Sequence, residues 1–274
     1  MICDAQIHAW NAEDPRRPWP AGRRQPHRPT PFTGSAVLEE MDQAGVDRAV
    51  LVPPSWVGEQ NVDSCAEARA HPDRFAVMGR FDFQTRCDPA VIRSWREQEG
   101  MLGMRLTFLE PPQRESLRLE ALDWLWDLLE ECSIPVMLCA PGLIGEVAGI
   151  AGRFHGLRLI LDHLTLTRED RDERMIAVVD RVLPLARYQN IAVKASALPC
   201  YVSDDYPYPT LQSQLRRLID EFGASRIMWG SDLSRLSCAY DDWVNFFRED
   251  LGFITPEERE WILGDALLQW LHWD

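Results

Sequence analysis

Short apolar and β-branched runs alternate with longer segments of helical periodicity from one end of the chain to the other, the rhythm of repeated βα units. Eight runs predict strands at residues 2–9, 49–53, 76–81, 103–107, 135–140, 159–163, 191–196 and 227–231. The segments between them carry apolar stripes. Leu122, Leu125, Trp126 and Leu129, for example, fall at i, i+3, i+4 and i+7, a face that buries against a sheet. An open, doubly wound sheet would show the same rhythm. Polar residues able to do chemistry, however, stand at strand ends throughout the chain and not at one crevice, which favours a closed barrel. The expected architecture is therefore α/β, a single (β/α)8 TIM barrel forming one domain over residues 1–274. A last helical pattern at 256–271 packs outside it, with Trp261, Trp270 and Trp273 as core. Residues 11–33 are rich in Pro and Arg without apolar period and read as a long loop after the first strand, lying over the barrel mouth.

Composition narrows the function classes. Hydrophobic residues make up 46% and charged residues 26%, and no apolar run approaches the roughly 20 residues needed to cross a bilayer. Met1-Ile2-Cys3-Asp4 lacks the basic and apolar regions of a signal peptide, so a cytoplasmic location is expected. Seven cysteines without CxxC spacing suit reduced thiols better than disulfides or a structural zinc site. The formal charge of -14 repels nucleic acid and anionic membrane surfaces. An anionic substrate must then be captured by locally placed arginines or lysines.

The polar residues inside apolar strands carry the chemistry. Strand alternation would point Asp4, Gln6 and His8 to one face, which should be the barrel interior. Strand 6 ends abruptly in Asp162-His163, either a catalytic pair or a helix cap with an exposed ring. Strand 8 runs Trp229-Gly230-Ser231 directly into Asp232, a carboxylate that could take a proton from water or cap the next turn. Arg105 on strand 4 and Lys194 on strand 7 are cations in apolar runs and need a partner. That partner is an internal carboxylate such as Asp4, or a bound substrate carboxylate. Tyr201, Tyr206 and Tyr208 line a ring pocket or are surface aromatics.

Asp-x-x-x-His-x-Trp on strand 1, Asp-His on strand 6, Lys-x-Ser on strand 7 and Trp-Gly-Ser-Asp on strand 8 together resemble the amidohydrolase superfamily. More narrowly they resemble the amidohydrolase-related branch that holds pyrone dicarboxylate lactonase, fuconolactonase and sulfomuconolactonase. Metal-dependent relatives place His-x-His or Glu-x-His on strand 1 and a histidine on strand 5. Gln6 and Cys139 stand at two of those positions here, which disfavours zinc, so no cofactor and no tightly held metal are expected. The resemblance implies a hydrolase of a small, carboxylate-bearing lactone or ester. Asp232 would be the general base, and His8 and His163 would polarise the carbonyl. Arg105, Gln6, Lys194, Cys139 and Trp10 would contact substrate. The alternatives are a metal-dependent decarboxylase or lyase of the aminocarboxymuconate semialdehyde decarboxylase type, or a catalytically silent barrel that binds a small acid. The partner is a small molecule, and a homodimer is the assembly such barrels often form.

Overall fold

In the computed structural model, which describes residues 1–118 and 120–274, the eight runs form β1 (Cys3–Ile7), β2 (Arg48–Leu51), β3 (Phe75–Arg80), β4 (Met101–Thr107), β5 (Val136–Cys139), β6 (Leu159–Leu161), β7 (Ile191–Ser196) and β8 (Ile227–Gly230). They pair in sequence order, each parallel to the next. Parallel neighbours need a crossover, which the intervening helices supply. At the seam, Asp232 N donates to Gln6 O at 2.8 Å and Ser231 N to Asp4 Oδ1 at 3.0 Å. The result is a nearly closed TIM barrel.

The helices bury the stripes that their periodicity predicts. Asp123–Glu131 buries Leu125, Trp126 and Leu129, and Pro209–Phe222 buries Leu211, Leu215, Leu218, Ile219 and Phe222. Outward strand residues such as Leu51, Val77, Leu138 and Val193 join them in one apolar layer. A second cluster fills the barrel, from Ala5, Val50, Met78, Met137, Ile160, Ala192 and Met228. The last helix, Ala266–Leu271, lies outside the strands at their N-terminal end, and its Leu267, Trp270 and Leu271, with Trp273 just beyond, complete that second cluster. Polar ties fix it there. Trp270 Nε1 donates to Ser225 O at 3.1 Å, and Arg158 Nη1 donates to Gln269 O and Trp270 O at 3.0 Å each. At the opposite end the described residues open onto a cavity.

Two local departures from strand geometry shape that open end. Asp4 Oδ1 accepts from Gln6 N at 2.9 Å, two residues along, where the β1–β2 register shifts. This bulge breaks the alternation on which a shared face for Asp4, Gln6 and His8 depends. Asp4 instead receives Ser231 N and, at 2.7 Å, the hydroxyl of Tyr240, whose ring stacks on outward-facing Trp229. Burial pushes the Asp4 carboxyl up to about 6. The second departure ends β6 at Leu161, short of the predicted 163. His163, Leu164 and Thr165 take φ of 50°, 53° and 61°, so the chain turns sharply out of the barrel wall. Left-handed backbone in non-glycine residues is strained and persists only where the surroundings hold it.

The loop at residues 11–33 covers the mouth. An antiparallel bridge between Trp10 and Phe32 ties its base, and Thr33 caps the following helix Gly34–Ala44 by accepting from Ala36 N. Among the described residues no helix is long and apolar enough to cross a membrane.

Candidate active site at the barrel mouth

The sequence-predicted residues converge in two layers. The deeper layer is a sealed ion network. Asp162 Oδ1 meets Lys194 Nζ at 2.6 Å, and its Oδ2 meets Arg105 Nε at 3.0 Å. The internal carboxylate expected for the two cations is thus Asp162, not Asp4. Asp162 neither caps a helix nor leaves His163 exposed, since both are buried. Burial alone would raise the Asp162 carboxyl, yet Lys194 and Arg105 hold it well below the usual carboxylate range. Lys194, fully buried, also donates to Gln6 Oε1 and to Ala5 O at 3.3 Å. Burial pulls its ammonium below the ordinary lysine value, with Asp162 opposing.

Above this lies a cavity of about 220 Å³ whose walls include His8, His163, Asp232, Arg105, Cys139, Tyr201 and Arg235. Asp232 is 2% exposed, sits in the left-handed region at φ 50°, and is aimed back over the barrel by the turn after Gly230. Arg235 Nε donates to Asp232 Oδ2, and Arg235 Nη2 donates to the Tyr201 hydroxyl at 2.6 Å. Burial pushes the Asp232 carboxyl upward, but Arg235, His8 and His163 together outweigh it and hold the group well below its ordinary value. The other oxygen, Oδ1, has no hydrogen-bond partner and faces His8 Nε2 at 3.3 Å. His163 Nε2 stands 3.6 Å from Asp232 Oδ2, and its Nδ1 lies 2.7 Å from Ser196 Oγ. Burial, reinforced by Arg235, pushes the His163 ring down to about 3, so it is neutral.

The hydrogen bonds decide which ring nitrogens carry protons. His8 Nδ1 lies 2.6 Å from Val52 O, a pure acceptor, so Nδ1 carries the proton. Burial lowers the His8 pKa and favours the neutral ring, whose Nε2 then offers a lone pair. A carbonyl-polarising role for His8 would require the imidazolium. His163 can take its Nδ1 bond from the Ser196 hydroxyl and turn Nε2–H toward Asp232 and the cavity, and so offers the donor.

Three of the eight sequence-selected residues do not line the cavity. Gln6 and Lys194 lie beneath it. Trp10 is buried between Phe32 and Trp56, with ring centroids at 5.3 and 4.8 Å, and donates from Nε1 to Thr30 Oγ1 at 3.1 Å, so it braces the mouth loop. Tyr201 joins the cavity, while Tyr206 and Tyr208 pack on Phe246 away from it.

Sequence reasoning missed Arg235 and His27. Arg235 follows Asp232 by three residues in the turn Leu233–Arg235, and an Asp-x-x-Arg spacing is the local signal that could have found it. His27 has no local signal. It reaches from the mouth loop to Ser234 Oγ at 3.0 Å and accepts from Arg168 Nη2 at 2.7 Å, contacts made across 207 and 141 residues. Arg24 and Arg168 at the rim, with Arg105 and Arg235 below, set four arginines against two lining carboxylates, Asp232 and Glu169. The cavity is therefore locally positive in a chain of charge -14 and suits an anion.

The donor set does not fit a divalent metal ion. Gln6 Oε1 is taken by Lys194 and Asp232 Oδ2 by Arg235. Burial raises the Cys139 thiol, which disfavours the thiolate that a metal needs. Among the described residues no group of three or more His, Cys, Asp or Glu is arranged to hold an ion.

Known proteins share this whole arrangement of elements. An L-fucono-1,5-lactonase of Burkholderia ambifaria is 25% identical over 290 residues, covering 95% of this chain and 92% of that protein. An amidohydrolase of Burkholderia multivorans, solved with bound zinc, superposes with a TM-score of 0.81 at 17% identity, covering 99% of both chains. A probable 2-pyrone-4,6-dicarboxylic acid hydrolase of Acinetobacter baumannii, solved with citric acid, gives 0.74 at 17% identity, also over 99% of both. The family model for amidohydrolases matches residues 3–267, nearly the full barrel, and the chain belongs to the amidohydrolase family.

Proposed function

We propose that the chain hydrolyses a small carboxylate-bearing lactone or ester at the barrel mouth, without a metal ion. One observation carries this reading. A buried, unpartnered carboxylate oxygen, Asp232 Oδ1, lies 3.3 Å from the imidazole nitrogen His8 Nε2. A water hydrogen-bonded to both is oriented and made more nucleophilic. Asp232 Oδ1 takes a proton from the water as its oxygen attacks the acyl carbon, and the carbonyl oxygen gathers charge that His163 Nε2–H and the Arg235 guanidinium stabilise. Collapse of the tetrahedral intermediate breaks the acyl–oxygen bond. The ring oxygen takes that proton back from Asp232 and leaves as a hydroxyl, and a lactone gives a hydroxy acid. A relative named as a lactonase supports the reaction class.

Arg105 would hold the substrate carboxylate. Its Nε is committed to Asp162, and Nη1 donates to Thr107 Oγ1 at 2.6 Å. That leaves Nη2 and one Nη1 hydrogen for substrate, as part of the planar grip that suits a carboxylate. Arg105→Gln is expected to raise KM for carboxylate-bearing lactones by about 10- to 100-fold, the worth of a charged hydrogen bond, with a smaller effect on kcat. Steady-state kinetics on paired lactones with and without the carboxylate check this. An equal loss on both members would remove Arg105 from substrate recognition.

The reading as a whole is tested by a lactone panel assayed before and after chelation. Hydrolysis that chelator leaves unchanged is the expected result. Activity lost to chelator and restored by zinc or manganese would overturn the metal-free scheme in favour of a metal-dependent hydrolase. Binding of small acids with no turnover of any lactone would mark a silent barrel.

A further inference from the structure

We infer that Thr107 is a positioning residue for substrate recognition, its hydroxyl oxygen fixing the plane in which the Arg105 guanidinium meets a carboxylate. The inference deepens the hydrolytic reading above and rests on its assignment of Arg105 to the substrate. It starts from β4, where Arg105 and Thr107 stand two residues apart and so share a face of the strand. Arg105 Nε donates to Asp162 Oδ2 at 3.0 Å, and Nη1 donates to Thr107 Oγ1 at 2.6 Å. A planar group held at one point still swings about that bond, whereas two points fix the plane. The guanidinium that lines the cavity is therefore held in one orientation before substrate arrives, which lowers the ordering cost of binding.

Arg80 holds the threonine in turn. It sits on β3 in register with Arg105, and both side chains are nearly fully buried. Two guanidiniums side by side would compete for a substrate anion unless one were occupied, and Arg80 is occupied at all three nitrogens. Nε and Nη2 donate to the two Glu59 carboxylate oxygens at 3.0 and 2.7 Å, and Nη1 donates to Thr107 Oγ1 at 3.2 Å. Asn61 keeps Glu59 beside the end of β3 by bonding the Arg80 backbone in both directions, at 2.7 and 3.0 Å. Burial pulls Arg80 below its ordinary value and Arg105 adds to this, while Glu59 opposes. Glu59 thus compensates the charge of Arg80. Asp162, by contrast, divides its charge between Arg105 and Lys194, so Arg105 keeps a demand for an anion. A hydroxyl has two acceptor lone pairs. Arg105 and Arg80 use both, so the Thr107 oxygen stays between the two guanidiniums and steers the one that is free to bind.

Thr107→Val nearly keeps the shape and removes the acceptor, and Thr107→Ser retains it. In Thr107→Val, KM for a carboxylate-bearing lactone is expected to rise about 10-fold, the worth of a lost charged hydrogen bond, with kcat and the carboxylate-free partner lactone changed less than about 2-fold. Thr107→Ser is expected to keep the wild-type preference. An equal rise on both lactones would mark Thr107 as merely structural and overturn the inference. Arg105→Gln separates that failure from failure of the underlying reading. If it discriminates between the two lactones and Thr107→Val does not, the inference alone falls; if neither discriminates, the assignment of Arg105 falls with it. NMR of protein labelled with 15N-arginine reads the same bond without turnover, and Arg105→Gln identifies the Arg105 signals. Separate Nη1 and Nη2 signals are expected in the wild type and in Thr107→Ser, and their merging through faster rotation in Thr107→Val. A wild-type Arg105 guanidinium that already rotates freely would overturn the positioning by Thr107. If no lactone is hydrolysed but the NMR result holds, the hydrolytic reading fails while the positioning stands.

Discussion

Replacing Asp232 by asparagine lowers kcat for lactone hydrolysis by at least ~10²-fold and leaves the barrel folded. The size follows from what the carboxylate does at once. In the proposed scheme its unpartnered Oδ1 holds the water and takes its proton. An amide keeps the shape but removes the charge, and it can turn its NH2 toward the water and orient it wrongly. Arg235 retains the Tyr201 hydroxyl at 2.6 Å, so the turn after β8 has a second tie when the ion pair is gone. The loss should therefore appear in kcat with a smaller change in KM, and circular dichroism should match the wild type. Turnover near the wild-type rate in this variant would remove Asp232 from the mechanism.

The same residues show how far the sequence could be read. The strands were legible because a barrel strand buries both faces, which writes a compact apolar run ending in a polar residue. Leu159–Leu161 before Asp162 and Ile227–Gly230 before Asp232 are examples. Asp232, His8, His163 and Arg105 were legible for the same reason, as polar groups where such runs stop. Asp4 was assigned to the interior because a two-residue period holds only along an unbroken strand, and its own bond to Gln6 N breaks β1. Contacts that close over long separations leave no local mark. His27 meets Ser234 only after the mouth loop has folded across the barrel. Trp10 belongs to the recognisable strand-1 pattern, yet its work is to brace that loop against Phe32 and Trp56. The pairing of Lys194 and Arg105 with Asp162 required knowing that β4, β6 and β7 bring their side chains to one level inside the barrel.

That buried network sets the largest effect expected on stability. Asp162→Asn strands two cations inside the barrel, Lys194 fully buried and Arg105 nearly so. Removing one partner of a buried ion pair costs roughly 3–5 kcal/mol because the charge left behind has neither water nor counterion. For a chain of this size the melting temperature should fall by roughly 10 °C. Lys194→Met in the same background removes one stranded charge, so the double variant should be more stable than Asp162→Asn alone, the signature of coupling in a double-mutant cycle. The deficit also depends on pH, with a definite sign. Lys194 is already pulled below its ordinary value by burial, with Asp162 opposing. Without Asp162 it falls further, and between that lowered value and the unfolded value near 10.4 the unfolded chain binds more protons. Stability relative to wild type then rises with pH, and the deficit shrinks as pH approaches the unfolded lysine value. Denaturant unfolding of both proteins across that window checks the sign. A deficit independent of pH would mean that the loss comes from repacking around the asparagine and not from the stranded lysine.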